Sequence, residues 1–145
     1  MWNQWFKKKY HKVSFEDVQF AVQHNTEFVI INTLPTNEQQ CLIRNTLSCQ
    51  NEEKMMNDYI QQYDYRGPKF IIYGKNSSDD TVEKKCEQLL NLGFTNVYAY
   101  SGGMFEWLLL QDIYGKDEFP ATSKMLDILK YKPNRQFGGV LIGYG

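Results

Sequence analysis

Three short runs of consecutive apolar residues constrain this chain more than any other feature: Phe28-Val29-Ile30-Ile31, Phe70-Ile71-Ile72-Tyr73 and Val97-Tyr98-Ala99-Tyr100. A strand with one wet face alternates apolar and polar residues. A run that is apolar at every position needs cover on both faces, as in the middle of a parallel sheet. Between the second and third runs, Val82, Cys86, Leu89 and Leu90 recur at i, i+4, i+7 and i+8, and Gly93 follows as a left-handed stop. The spacing predicts a helix over 81–92. Strand, helix and strand joined this closely form a βαβ unit, with parallel strands and a right-handed crossover.

The remaining segments fit around that unit. Ser14 followed by Asp17 reads as a helix start, the hydroxyl capping a free amide and the acid facing the positive helix end. Phe15, Val18 and Val22 then share one helical face. A less regular helix is expected over 51–63, carrying Met55, Met56, Tyr59, Ile60 and Tyr63. Ser101-Gly102-Gly103 leads into an apolar helix around 105–110, and Pro120 precedes a last expected helix over 123–129. From Lys132 the chain turns polar and then Gly-rich, which reads as a tail. The fold class is thus α/β: one domain with a central parallel sheet of four or five strands and helices on both faces. Ile30, Ile31, Ile71, Ile72, Val82, Leu89, Leu90 and Val97 are its expected core. The expected boundaries are a basic-aromatic tail over 1–11, the domain over 12–115, and a C-terminal helix with a Gly-rich tail over 116–145.

At 145 residues a single domain is favoured, and 42% hydrophobic residues suffice for a core. A net charge of −1 gives no electrostatic case for nucleic acid as a partner. The three cysteines, Cys41, Cys49 and Cys86, form no CxxC pair, and no His stands in ligand spacing to them. Neither a disulfide framework nor a metal or other cofactor is expected, and a reducing, intracellular, cytoplasmic setting is the default. Residues 1–12 lack the apolar core of a signal peptide, and no apolar run approaches a membrane span. Trp2, Trp5 and Phe6 beside Lys7, Lys8 and Lys9 can dock on the domain itself, on a partner protein or second subunit, or peripherally on a membrane. The apolar, Gly-interrupted stretch from Phe137 to Tyr144 is a second candidate contact segment.

The stretch from Pro68 to Trp107 carries more than a fold class. It contains an apolar strand ending in a loop (Lys69 to Gly74), a helix closed by Leu92-Gly93-Phe94, a strand, and Gly102-Gly103-Met104-Phe105-Glu106-Trp107. In order and spacing this resembles the second half of rhodanese-like domains, with Gly93, Gly102, Gly103 and Trp107 as the structural signature. The first half matches in outline only. Asn32-Thr33-Leu34 stands where the family has Asp-x-Arg, and Cys41-Leu42-Ile43-Arg44-Asn45-Thr46 keeps only the Ile of Gly-His-Ile-x-Gly-Ala.

The resemblance implies a sulfurtransferase chemistry that these residues do not supply. The family places a nucleophilic Cys directly after the strand, where free amides and the following helix lower the thiol pKa and hold an anion. Many members add an Arg five residues on. Here the loop is Gly74-Lys75-Asn76-Ser77-Ser78-Asp79-Asp80: the Cys position is Gly74 and the Arg position is Asp79. The longer loop of related phosphatases would put its basic position on Asp80. One of these acids is expected to cap the helix by accepting the amide bonds an anion would need, which also argues against a small-anion binder. Ser77 and Ser78 have no partnered base, and His11 and His24 read as surface residues. The expectation is therefore no catalytic residue at this loop, and a non-catalytic module that binds a protein partner, self-associates or plays a structural part. The rival is a sulfurtransferase or phosphatase-like enzyme using a relocated cysteine, Cys41 or Cys49. Cys86 falls on the apolar helix face and is expected in the core.

Overall fold

The computed structural model describes residues 9–138. The basic-aromatic segment up to Lys8 and the stretch from 139 onward lie outside the described residues. Four parallel strands form one sheet: β1 (His11–Val13), β2 (Phe28–Asn32), β3 (Lys69–Tyr73) and β4 (Val97–Tyr100), in the spatial order β1-β4-β3-β2. The helices are α1 (Phe15–Gln23), α2 (Cys49–Gln61), α3 (Thr81–Leu92) and α4 (Gly103–Tyr114), with 3-10 turns at Thr36–Glu38 and Ile128–Tyr131. The three apolar runs are β2, β3 and β4, and the helix between the last two covers the residues its spacing predicts.

Alternation along the strands explains why they had to be apolar throughout. Ile30, Ile71, Tyr73 and Tyr100 point to one face, where they meet Val18 and Val22 of α1 and Met104, Trp107 and Leu108 of α4. Ile31, Phe70, Ile72, Val97 and Ala99 point to the other, against Met56 of α2 and Val82, Cys86, Leu89 and Leu90 of α3. Every expected core residue is buried.

Local chemistry sets the helix ends. Asp17 accepts the Ser14 backbone amide at 2.9 Å, and the Ser14 hydroxyl donates to the same carboxylate at 3.2 Å. The acid rather than the serine therefore provides the main capping bond. Gly93 closes α3 at φ +113°, with its amide on Leu90 and that of Phe94 on Leu89. That left-handed turn drops Phe94, fully buried, onto Phe70 at 4.9 Å between ring centroids.

Three features depart from the sequence reading. His11–Val13, read as tail and domain start, adds a fourth strand beside β4, although none of its side chains is buried. Residues 123–129 form no α-helix; only the 3-10 turn Ile128–Tyr131 is regular. The segment is held by long-range bonds, Thr122 to Leu42, Ser123 to Gln40 and Asn76 to Tyr131, and these oppose a regular helical ladder. Residues 116–131 also contribute Phe119 and Tyr131 to the core. Among the described residues, no helix is long and apolar enough to cross a membrane.

Candidate functional site

β2, β3 and β4 all end on the same edge of the sheet, and their carboxyl-end loops converge there, where α/β sheets place their sites. Gly74 follows β3 and opens the loop into α3. Asp79 reaches back across that loop. Its Oδ2 accepts the Lys75 amide at 2.9 Å; its Oδ1 accepts the Thr81 amide at 3.0 Å and the Thr81 hydroxyl at 2.5 Å. Donors that could hold an external anion are thus taken by a carboxylate of the chain itself. Of the two acids considered, Asp79 does the capping, while Asp80 is exposed and pairs with Lys84 at 3.6 Å.

A side chain at position 74 would require its neighbours to shift. A Cβ built there would collide with Asp79 Oδ2 and stand 2.8 Å from both Thr33 Oγ1 and Val82 Cγ2. Thr33 comes from the Asn32-Thr33-Leu34 stretch, and its hydroxyl lies 2.8 Å from that of Thr81. Asn32 turns inward and accepts the Leu34 amide at 3.0 Å. The segment aligned with Asp-x-Arg therefore braces the loop without presenting a charge to it.

The loop is fastened on its other sides as well. Met104 and Phe105 donate their amides to the Gly74 and Lys75 carbonyls at 3.0 Å each, so the first free amides of α4 are also occupied. Gly103 makes this possible: its φ is +67°, and a Cβ would lie 2.7 Å from the Gly74 carbonyl oxygen. A Cβ at Gly102, whose φ is −61°, would meet only the Glu106 side chain. Trp107, fully buried, donates to the Pro120 carbonyl at 3.1 Å and ties α4 to the C-terminal segment. Asn76 is buried; it accepts the Ser78 amide and donates to the Tyr131 carbonyl, both at 2.9 Å. Lys75 forms a 3.0 Å ion pair with Glu38, and Ser77 and Ser78 stay exposed.

The cysteines are dispersed. Cys41 is wholly buried, with its thiol 3.2 Å from the Ser123 carbonyl. Cys86 faces the sheet from α3, and burial, helped by Glu83 and Glu87, pushes its thiol up to about 12. Cys49 alone of the three is exposed. It is the first residue of α2 and lines a hollow of about 360 Å³ with Thr33, Thr81 and Lys84. His24 stacks on Phe20, and His11 sits in β1.

Glu38, Thr33 and Tyr131 are partners of the loop that the sequence did not announce. Neither was the role of Tyr73, whose fully buried hydroxyl takes the Ile43 amide at 3.1 Å and lies 2.7 Å from that of Thr46. No periodicity or motif signals bonds between residues so far apart in the chain.

No protein-family model matches the sequence, and no curated protein does. Solved structures do. A thiosulfate sulfurtransferase from Pseudomonas aeruginosa is 24% identical over 69% of this chain, with a TM-score of 0.53; the match spans 19% of that protein. A polysulfide-sulfur transferase homodimer from Wolinella succinogenes is 16% identical over 81% of this chain and 82% of its own, with a TM-score of 0.53. A protein from Bacillus halodurans is 16% identical over 79% and 80%, with a TM-score of 0.55. With its parallel sheet, its strand-end loop and the Gly102-Gly103 helix packed on that loop, the chain has the fold of a rhodanese-like domain.

Proposed function

We propose that this chain is a non-catalytic rhodanese-like module that acts by binding a protein chain, a second copy of itself included, or as a structural part. The observation that carries the reading is the Asp79 carboxylate seated on the Lys75 and Thr81 amides, beside a Gly74 whose side chain, if it had one, would have to displace that carboxylate. A persulfide or thiosulfate anion would have to displace a tethered carboxylate and approach its charge. The reading is tested by thiosulfate-to-cyanide transfer, with rates expected at the protein-free background. Self-association has a parallel in the Wolinella homodimer.

One observation favours the enzymatic alternative. Cys49 is exposed at the start of α2, in a hollow that Thr81 and Lys84 share. Turnover in the same assay that disappears on Cys49→Ser would establish a relocated nucleophile and end the non-catalytic reading.

A further inference from the structure

Charge is spread unevenly along this chain. Residues 1–15 and 128–145 hold seven of its sixteen cations and none of its seventeen acids, so the residues between them carry a net charge of −8 against +7 for the two stretches. Both stretches also contain large apolar residues, Trp2, Trp5 and Phe6 in one and Leu129, Phe137 and Ile142 in the other. The fold brings both to the same end of the sheet. Val13 pairs with Tyr100, the last residue of β4, so β1 lies beside the carboxyl half of that strand. Tyr131 is wholly buried, and its carbonyl takes the side-chain amide of Asn76, in the loop that follows β3.

Five of the seven cations fall within the described residues: Lys9, Lys12, Lys130, Lys132 and Arg135. All five are exposed, and none forms an ion pair among the described residues, so the acidic body of the molecule does not neutralise them. Beside them stand Leu129 at 63% exposure and Phe137 at 87%. Unpaired cations interleaved with bare apolar side chains fit an anionic partner that also takes up hydrocarbon. The phosphates of a nucleic acid supply only the first of these. Leu129 and Phe137 stand singly, and neither lines the groove of about 1120 Å³ beside α1 or the hollow at Cys49. A fluid bilayer accepts such side chains one at a time, whereas a folded partner needs a matched shape. The acidic body would be repelled by the same surface, which turns the two basic stretches toward it.

We propose that these stretches form a peripheral contact with an anionic lipid bilayer, Lys130, Lys132 and Arg135 meeting headgroups while Leu129 and Phe137 enter the interface. Co-sedimentation of the full chain with phosphatidylcholine vesicles containing about one third phosphatidylglycerol is expected to show binding that weakens as salt rises. Vesicles of phosphatidylcholine alone should leave the protein in the supernatant. Changing Lys130, Lys132 and Arg135 to Gln should weaken binding about a hundredfold, and Lys9→Gln with Lys12→Gln about tenfold. Leu129→Ser and Phe137→Ser should each weaken it about tenfold. All these side chains are exposed, so the circular dichroism spectrum should not change. A wild-type chain that ignores anionic vesicles, or binds neutral ones equally, would overturn the proposal. So would binding indifferent to Leu129 and Phe137, or equal affinity for soluble polyglutamate, either of which would indicate an acidic polypeptide instead. Self-association without vesicles that the same substitutions abolish would assign the surface to a second copy. None of these outcomes bears on the sulfur-transfer assay.

Discussion

Asp79 occupies one position in the loop and does two things at once. Its carboxylate satisfies the Lys75 and Thr81 amides, and it fills the space into which a side chain at residue 74 would grow. Gly74→Cys by itself is therefore expected to lower stability and to leave thiosulfate-to-cyanide transfer at background. Removing the obstacle with Asp79→Ala should cost about 1 kcal/mol in urea unfolding, the usual value of a lost helix cap. A Gly74→Cys variant of full wild-type stability would show that the loop has more freedom than this geometry allows. The cysteines offer an independent check. Titration of the native protein with a thiol reagent near pH 8 should modify Cys49 promptly. Cys41 and Cys86 should respond only on unfolding, the first for want of access and the second because burial holds its thiol at about 12. Fast labelling of two or three thiols would contradict the burial described here.

At the scale of elements, β3 and the start of α4 bear most of the architecture. β3 lies between β2 and β4, and Ile71 is 1% exposed, so Ile71→Ala is expected to cost about 2–5 kcal/mol in chemical denaturation. A loss below half a kilocalorie, which is the scale of exposed-site changes, would be incompatible with a central strand. Gly103→Ala tests the seating of α4 on the loop. It forces a left-handed backbone onto a residue with a Cβ, costing about 1–3 kcal/mol, and drives that Cβ against the Gly74 carbonyl. Gly115→Ala is the contrast, since its φ is +100° but nothing lies within 4 Å of a Cβ there. Equal losses at the two positions would mean that the close approach to the loop contributes nothing.

For the whole molecule, buried phenols couple stability to alkaline pH. Burial raises the pKa of Tyr73 and, together with the hydrogen bond to Glu106, that of Tyr100. The neutral form is the one the fold accepts. Stability from these groups is therefore fully present below the unfolded tyrosine value of about 10 and is lost as pH rises beyond it, where only the unfolded chain releases its protons. Melting temperature should be insensitive to these groups between pH 7 and 9 and should fall progressively above about pH 10. Tyr73→Phe leaves Ile43 and Thr46 without their shared partner and should lower stability at neutral pH, while making the alkaline decline shallower.

The sequence by itself determined three of the four strands, the βαβ order, the limits of α3 and the absence of a thiol at position 74. Those depend on local period, on β-branched runs and on single residues, all of which read without knowing what lies opposite. It also limited the capping acid to Asp79 or Asp80. Only the tertiary structure decided between them, because the choice turns on which carboxylate can reach the Lys75 and Thr81 amides together. His11–Val13 became a strand solely because β4 offers it an edge: three exposed or half-exposed residues carry no pattern of their own. The segment over 123–129 looked helical in isolation and is not, because Leu42, Gln40 and Asn76 offer its neighbourhood hydrogen bonds from distant parts of the chain. Local propensity is worth tenths of a kilocalorie per residue, and fixed long-range partners outweigh it wherever they are available.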